Sequence, residues 1–318
     1  TTAAVYRAAA WRRCEAGGEC RGQAPPALRI GGEMIVAPDA PKRPALRYYG
    51  GKWKLAPWII SHFPEHKNYV EPCGGAASVL LQKPRSPLET YNDLDGGVVN
   101  FFRVLRDKPD ELIRKIKLTP WARAEYESVR QPYGDDVEQA RQFFVSGWMS
   151  ISGMAHEKST GWRATSFHGE SFTPHGFQYE YTKGILDVVA NRFMGVQIEN
   201  SDAAYVIERF GMRSDALIYF DPPYVAETRV NTTQYRVECG SGFHAEAAAL
   251  LRTCPGYVVV SGYACPLYAD LYERHGWRRV DIEAATNGSN RVESLWLSPR
   301  TVDALAMPAQ VGLFELAA

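Results

Sequence analysis

The segment best suited to chemistry comes directly after the apolar stretch A-L-I-Y-F and consists of Asp221, Pro222, Pro223 and Tyr224. Because two prolines restrict the backbone there, we expect the Asp221 carboxylate and the Pro222 carbonyl to point toward one spot. Both groups accept hydrogen bonds, and an exocyclic amine offers two matching N–H donors. Tyr224 adds a flat face suited to stacking on a base. The alternative is a proline-rich turn whose aspartate binds local amides.

A second candidate is the small-residue turn V-E-P-C-G-G-A-A-S at residues 70–78. It follows a strand pattern, K-N-Y-V-E-P-C, and precedes an expected helix from about Ala76 to Gln82. Gly74 and Gly75 would let a ligand approach the backbone at the helix N-terminus. Turns of this composition also serve packing alone.

Two further motifs flank this turn. Asp93 follows the strand pattern L-E-T-Y-N and is the nineteenth residue after Gly74. An acid at about that distance commonly accepts hydrogen bonds from ribose hydroxyls, although it could instead cap a helix. Upstream, residues 48–52 are Y-Y-G-G-K, in which aromatic side chains beside glycines and Lys52 could cradle a ligand that carries a carboxylate. This segment lacks the spacing of a P-loop.

The elements that must position these motifs alternate between strand and helix patterns. A strand-turn-helix-strand beginning predicts a parallel sheet, and two closing strands are expected at W-R-R-V-D-I-E-A-A and E-S-L-W-L-S-P. The alternation stops between about residues 118 and 180. We therefore predict one doubly wound α/β domain with a mainly helical insertion. The predicted divisions are an irregular leader at 1–44, the α/β domain at 45–117 and 181–300, the insertion at 118–180 and a tail at 301–318.

Composition narrows the class of protein. The chain has 318 residues, of which 45% are hydrophobic, and 36 basic residues balance 36 acidic ones. These values exclude collagen, a coiled coil or disorder over the whole chain, and no apolar run approaches the roughly 20 residues of a membrane span. Net neutrality argues against a protein that coats nucleic acid non-specifically, but the first 54 residues carry ten basic and four acidic side chains. Six cysteines without a C-x-x-C pair or a histidine at zinc-ligand spacing predict free thiols and no metal site.

In their order, Y-x-G-G-K, E-P-x-x-G, N-D and D-P-P-Y, the motifs resemble the Dam-type family of DNA N6-adenine methyltransferases over about residues 46–299. The resemblance implies a doubly wound, Rossmann-like, S-adenosylmethionine-dependent methyltransferase fold. The implied reaction moves a methyl group from S-adenosylmethionine to N6 of a flipped-out adenine in double-stranded DNA. The implied cofactor-binding residues are Tyr48, Lys52, Glu71, Pro72, Gly74, Gly75, Asp93, Asp202 and Asp221, and the implied catalytic residues are Asp221, Pro222, Pro223 and Tyr224.

The chain departs from the family pattern E-P-F-x-G-x-G-S in the small-residue turn. Cys73 replaces the phenylalanine, and Ala77 replaces the second glycine. A methyl group at position 77 would crowd the turn if that position requires a positive φ. Tyr48 stands where some members of the family carry tryptophan, which preserves an aromatic face.

The implied mechanism needs no metal and no covalent nucleophile, because a methyl group on a sulfonium is already activated. The target adenine must leave the duplex stack, at a cost of a few kcal/mol. Tyr224 would stack on it, while Asp221 and the Pro222 carbonyl would accept hydrogen bonds from N6. Catalysis then consists of positioning and of stabilising the charge that develops on nitrogen.

The insertion occupies the interval in which this family carries its target-recognition region. Basic side chains there could contact phosphates or guanine edges, or could be ordinary solvated charges. The candidate DNA-binding residues are Arg123, Arg130, Arg141, Lys158 and Arg163. In the tail, Q-V-G-L-F resembles the Q-x-x-L-F peptide by which bacterial proteins dock on the replicative sliding clamp. Gln310, Leu313 and Phe314 would form this contact, or else pack on the sheet.

Two other classes of function stay open at this point. One is a methyltransferase that acts on cytosine N4, on RNA or on a protein, and the other is a non-catalytic protein that binds DNA or the clamp. Asp221, Lys52 and the long interval between Glu71 and Asp221 favour DNA adenine. We expect a monomer in the cytoplasm of a bacterial or phage-infected cell, associated with the nucleoid, in a restriction-modification or phage context.

Overall fold

The computed structural model describes residues 29–30, 33–34, 36–129, 133–151, 161–164, 181–225, 240–286 and 289–307. Two short strands, β1 (Arg29–Ile30) and β2 (Glu33–Met34), form an antiparallel pair. The remaining strands form one seven-stranded sheet. They are β3 (Asn68–Glu71), β4 (Leu88–Asn92), β5 (Gln197–Glu199), β6 (Ala216–Phe220), β7 (Tyr257–Gly262), β8 (Arg278–Thr286) and β9 (Ser289–Leu297).

The strand order is β5-β4-β3-β6-β7-β9-β8. The first five strands of this order are parallel, and β9 runs antiparallel to both of its neighbours, β7 and β8. The predicted doubly wound α/β fold is confirmed. The chain builds β4 and β5 on one side of β3, and later places β6 and β7 on the other side. A crevice therefore opens between the carboxyl ends of β3 and β6, which is where open α/β sheets bind ligands.

The central strands are buried along their whole length, as expected for parallel strands covered on both faces. The structure describes ten α-helices, α1 to α10, and none of these is long and apolar enough to cross a membrane. They are α1 (Ala56–Ile60), α2 (Gly96–Asp107), α3 (Pro109–Leu118), α4 (Arg123–Ser128), α5 (Asp136–Met149), α6 (Leu186–Phe193), α7 (Ala203–Phe210), α8 (Ser241–Thr253), α9 (Pro266–Leu271) and α10 (Pro299–Ala306).

The helix predicted from Ala76 to Gln82 was wrong. This segment is a series of turns, with isolated backbone hydrogen bonds such as Leu81 N–H to the Ala77 carbonyl. Gly75 has a φ of 47° and Ala77 a φ of 54°, both in the left-handed region. Two left-handed residues within three positions interrupt the right-handed repeat that an α-helix needs.

Helix α5, in the predicted insertion, packs directly on helix α2 of the sheet layer. Phe144 of α5 stacks on Phe101 of α2 with ring centroids 5.8 Å apart, and both side chains belong to the main hydrophobic core. At the end of α5, Arg47 donates to the Ser150 and Ile151 carbonyls. Much of the described insertion therefore shares the core of the α/β domain, while its limits at 118 and 180 stay a prediction.

A buried network of charges joins the sheet to helix α6, which follows the insertion. Glu89 of β4 accepts two hydrogen bonds from the Arg192 guanidinium, at 2.6 and 2.9 Å, and one from Lys83 Nζ at 2.6 Å. All three side chains are almost fully buried. The two cations compensate the charge of the buried Glu89 carboxylate, and Glu89 is in turn the counter-charge that each buried cation needs.

We expect Glu89→Gln to lower the free energy of unfolding by about 3 kcal/mol, because it leaves buried cations uncompensated. Urea unfolding of the purified protein measures this change. Asp107→Asn is the control, since Asp107 forms an exposed ion pair with Arg106 and its loss should cost less than about 1 kcal/mol. Equal costs for the two variants would contradict the assigned role of the buried network.

Candidate active site

A cleft of about 930 Å³, counting the part open to solvent, lies at the carboxyl ends of the parallel strands. Its walls come from the ends of β3, β4 and β6, the start of α7 and residues 48–52. All of the predicted cofactor-binding residues line it, namely Tyr48, Lys52, Glu71, Pro72, Gly74, Gly75, Asp93, Asp202 and Asp221, and Pro222 and Pro223 line it as well.

The small-residue turn after β3 is held against the end of β4. The Gly75 amide donates to Asp93 Oδ2 at 2.8 Å, and the Tyr91 hydroxyl donates to the Gly75 carbonyl at 2.7 Å. A Cβ at Gly74 would lie 2.2 Å from the Tyr91 ring, so this position requires glycine. Asp93 Oδ1 also accepts from the Asp95 amide at 2.8 Å. Burial raises the pKa of Asp93 to about 6, although these amides oppose the shift.

Ala77 occupies a left-handed position, with a φ of 54°, in the place where the family pattern has its second glycine. The sequence-based concern about a methyl group there is therefore justified: alanine is strained at this position. The neighbouring Ser78 was not predicted to have a role. Its hydroxyl is buried, borders the cleft and has no hydrogen-bond partner among the described atoms.

Asp202 lies at the opposite wall, where it caps helix α7. Its Oδ1 accepts from the Ala204 amide at 2.8 Å, while the side chain stays exposed at the cleft. The carboxylate keeps acceptor capacity after this bond. The capping role and a ligand contact are therefore compatible at this position.

Lys52 and Asp221 form an ion pair at the centre of the cleft. Lys52 Nζ lies 3.1 Å from Asp221 Oδ1, with side-chain exposures of 7% and 16%, and also donates to the Gly50 carbonyl at 3.0 Å. Burial raises the pKa of Asp221, the Lys52 ammonium lowers it, and the negative charge of Glu293 raises it. The sequence predicted that Lys52 contacts the cofactor. In the structure its ammonium group pairs with Asp221, the predicted catalytic carboxylate.

Tyr224 is 4% exposed and does not line the cleft. Its hydroxyl donates to Glu293 Oε2 at 2.8 Å, Lys52 Nζ lies 4.5 Å from the centre of its ring, and Tyr263 packs edge-on at 4.7 Å. The predicted stacking face is therefore covered in this arrangement. Nothing in the local sequence of residues 221–224 indicated Glu293, which is 69 positions away.

Glu71 forms part of the cleft floor and is almost completely buried. The Tyr69 hydroxyl donates to its Oε2 at 3.1 Å. Burial raises the pKa of Glu71 to about 8; the Tyr69 hydrogen bond opposes this shift, and the charge of Asp221 adds to it. Burial therefore favours the neutral form of this carboxyl group.

The predicted DNA-binding residues have different environments. Arg141 is buried and forms ion pairs with Glu125 and Glu138, each at 2.5 Å, so its guanidinium is used inside the protein and the prediction for it was wrong. Arg123 lies 4.7 Å from the centre of the Trp162 ring, and Arg163 is partly exposed. Arg130 and Lys158, and the tail residues Gln310, Leu313 and Phe314, lie outside the described residues.

A family model described as D12 class N6 adenine-specific DNA methyltransferase matches residues 48–286, which include every motif of the cleft. The chain belongs to this family. It is an adenine-specific DNA methyltransferase, and the predicted enzyme class is confirmed. The cleft at the carboxyl edge of the sheet is accordingly the candidate active site of a methyl transfer to DNA.

Two relatives carry names that agree with this assignment. A DNA adenine methylase of Vibrio cholerae is 26% identical over 227 residues, which are 66% of this chain and 74% of the relative. A type II methyltransferase of Lactococcus lactis subsp. cremoris is 24% identical over 271 residues, which are 78% of this chain and 90% of that protein.

Within the described residues, no cluster of three or more His, Cys, Asp or Glu side chains is arranged to hold a metal ion. Cys73, Cys254 and Cys265 form no disulfide bond among the described residues. Cys73 borders the cleft, in the position that the family pattern gives to phenylalanine.

The raised pKa of Glu71 predicts a pH dependence of stability. Between the pKa of about 4.3 in the unfolded chain and about 8 in the folded protein, only the folded state holds the proton. Unfolding then releases a proton, so the stability of the methyltransferase should fall as the pH rises through this range. Glu71→Gln should reduce this decline. The stability of the variant relative to the parent protein should therefore be greater at pH 8 than at pH 5.

Urea unfolding of the two proteins at several pH values measures the effect. Glu65→Gln is the matched control, because Glu65 is exposed and its loss should leave the slope unchanged. The prediction fails if Glu71→Gln and the parent protein show the same pH slope.

Proposed function

We propose that this adenine-specific DNA methyltransferase uses S-adenosylmethionine and binds it in the cleft between β3 and β6. The observation that carries the proposal is that all of the cofactor motifs line one cavity together with Asp221 and the two prolines. The residues fit such a ligand. Ser78 offers a buried hydroxyl that borders the cleft and lacks a partner among the described atoms.

The charges of the cleft also suit this donor. Glu71, Asp93 and Asp221 are carboxyl groups whose pKa values are raised by burial, so a cationic ligand would favour their charged forms. When bound, S-adenosylmethionine supplies a methyl group activated by a positively charged sulfur. We assign Asp93 and Asp202 to the hydroxyl- and amine-bearing parts of this ligand, and Tyr48 to an aromatic contact.

Asp221 and the Pro222 carbonyl would hold the exocyclic amine of a flipped adenine in duplex DNA. Their acceptor atoms would orient the nitrogen lone pair toward the methyl group, and the carboxylate would stabilise the positive charge that develops on nitrogen. This role requires an ionised Asp221. The Lys52 ammonium at 3.1 Å favours that form against the effect of burial.

We expect Asp221→Ala to lower kcat by about 1,000-fold or more, because it removes the acceptor aimed at the reacting nitrogen. Transfer of labelled methyl groups to duplex DNA measures turnover, and calorimetry measures the cofactor Kd, which should change by less than about fivefold. Asp270→Ala, which removes an exposed acid from α9, is the control. Near-normal turnover of Asp221→Ala would contradict the role assigned to Asp221 as the acceptor for the reacting nitrogen.

The interval 118–180 is proposed as the target-recognition region, with Arg123 and Arg163 as DNA contacts. Arg123 packs on Trp162, which leaves a flat cation at the surface, and Arg163 follows the same tryptophan in sequence. Both are suited to phosphate or guanine contacts. We propose that the enzyme acts as a monomer on nucleoid DNA.

The tail motif supports a second proposed partner, the replicative sliding clamp. Gln310, Leu313 and Phe314 carry the spacing of a Q-x-x-L-F docking peptide. The motif supplies one polar side chain and two large apolar side chains for such a contact.

A pull-down with purified clamp tests this partner. The full chain should be retained, and Leu313→Ala/Phe314→Ala should lose at least tenfold in affinity, since these side chains supply the apolar contact. Gln310 is unchanged in this variant. Equal retention of the two proteins would exclude docking through the tail.

A further inference from the structure

Glu293 is a buried carboxylate close to the active site that neither the motifs nor the family match includes. It lies on β9, beyond residue 286 where the family match ends, and is 8% exposed. Strand β9 runs antiparallel to β7, with Ser294 opposite Gly262. This register brings Glu293 to the carboxyl edge of the sheet, beside the segment that follows β6.

Four side chains form a continuous series of contacts from β9 to the cleft. Glu293 Oε2 accepts the Tyr224 hydroxyl at 2.8 Å. The Tyr224 ring lies 4.5 Å from Lys52 Nζ, and Lys52 Nζ lies 3.1 Å from Asp221 Oδ1. The series therefore alternates between negative, aromatic, positive and negative groups.

We propose that Glu293 is a positioning residue for methyl transfer, which acts on Asp221 through Tyr224. This inference rests on the role proposed for Asp221. A tyrosine side chain turns about two torsions, and the hydrogen bond at its outer end restricts both. The oriented ring then provides the face on which the Lys52 ammonium rests, at a distance typical of cation–π pairs.

The single phenolic proton gives Glu293 a second effect. A hydrogen bond from the Tyr224 hydroxyl to Asp221 would lower the pKa of that carboxyl group, so the two carboxylates compete for one donor. A phenol has one O–H donor, so a proton donated to Glu293 is not donated to Asp221. The acceptor capacity of Asp221 stays open for an incoming amine.

The alternative is that Glu293 only stabilises the hairpin of β8 and β9. Both views predict a loss of stability when the side chain is removed. They differ in kinetics, because a positioning residue changes kcat through Tyr224 and leaves cofactor binding unchanged.

The experiment compares four variants: Glu293→Leu, Glu293→Gln, Tyr224→Phe, and the double variant Glu293→Leu/Tyr224→Phe. Because the hydrogen bond joins a charged acceptor to a hydroxyl, Glu293→Leu and Tyr224→Phe should each lower kcat by about 10- to 100-fold. The double variant should be no slower than the slower single variant, because both changes remove one interaction. Glu293→Gln keeps an acceptor oxygen and should retain kcat within about threefold.

Three further measurements separate positioning from folding. The cofactor Kd and the midpoint of unfolding should be close to those of the parent enzyme in Glu293→Gln and Tyr224→Phe. The acidic limb of the kcat profile should move to lower pH in Glu293→Gln, because a negative charge near Asp221 is lost. Glu283→Leu, on the exposed face of the same hairpin, is the control and should turn over normally.

Multiplicative losses in the double variant, or full activity of Tyr224→Phe, would overturn the inference. If Glu293→Leu does not fold, the comparison of Tyr224→Phe with Glu293→Gln still decides. An inactive Asp221→Ala with fully active Glu293 and Tyr224 variants rejects the positioning role alone. An active Asp221→Ala rejects the proposed function first.

Discussion

The ion pair between Lys52 and Asp221 joins two parts of the chain that are 169 positions apart, and the candidate active site depends on it. A buried carboxylate loses the hydration that stabilises its charge, and a neighbouring ammonium restores part of that stabilisation. Lys52 also rests on Tyr224, whose hydroxyl is held by Glu293. One cation therefore links the segment before the sheet, the end of β6 and the closing hairpin.

The buried carboxyl groups of the cleft would be stabilised in their charged form by a ligand that carries positive charge. Glu71, Asp93 and Asp221 all have raised pKa values because of burial. Together with the left-handed backbone of Ala77, these groups cost stability in the unliganded state. Such departures from local rules concentrate at functional sites, where a ligand that carries complementary charge can offset them.

The insertion combines packing with its proposed recognition role. Helix α5 contributes Phe144 to the main core, and Arg141 of the same helix is held by Glu125 and Glu138. Through these ion pairs Arg141 joins α5 to α4, and its guanidinium is not available for a contact with DNA. Arg123 and Arg163 lie instead beside Trp162, on the surface side of the small cluster formed by these helices. In the described insertion, Arg141 thus belongs to the packed interior, whereas Arg123 and Arg163 reach the surface.

The sequence by itself determined the strands of the main sheet, about half of the helices, the enzyme family and many of the residues that line the cleft. These features depend on local patterns and on motifs that end parallel strands, and strands of a doubly wound sheet bring their carboxyl ends to one edge. Only the tertiary structure decided which groups pair. Arg141 is buried in ion pairs, and Lys52 lies over the ring of Tyr224. Glu293 binds the Tyr224 hydroxyl, and residues 76–82 form turns instead of a helix. Each of these outcomes depends on the packing of residues far apart in the chain, or on a left-handed backbone at Ala77 that alanine ordinarily avoids, and neither leaves a periodic signal.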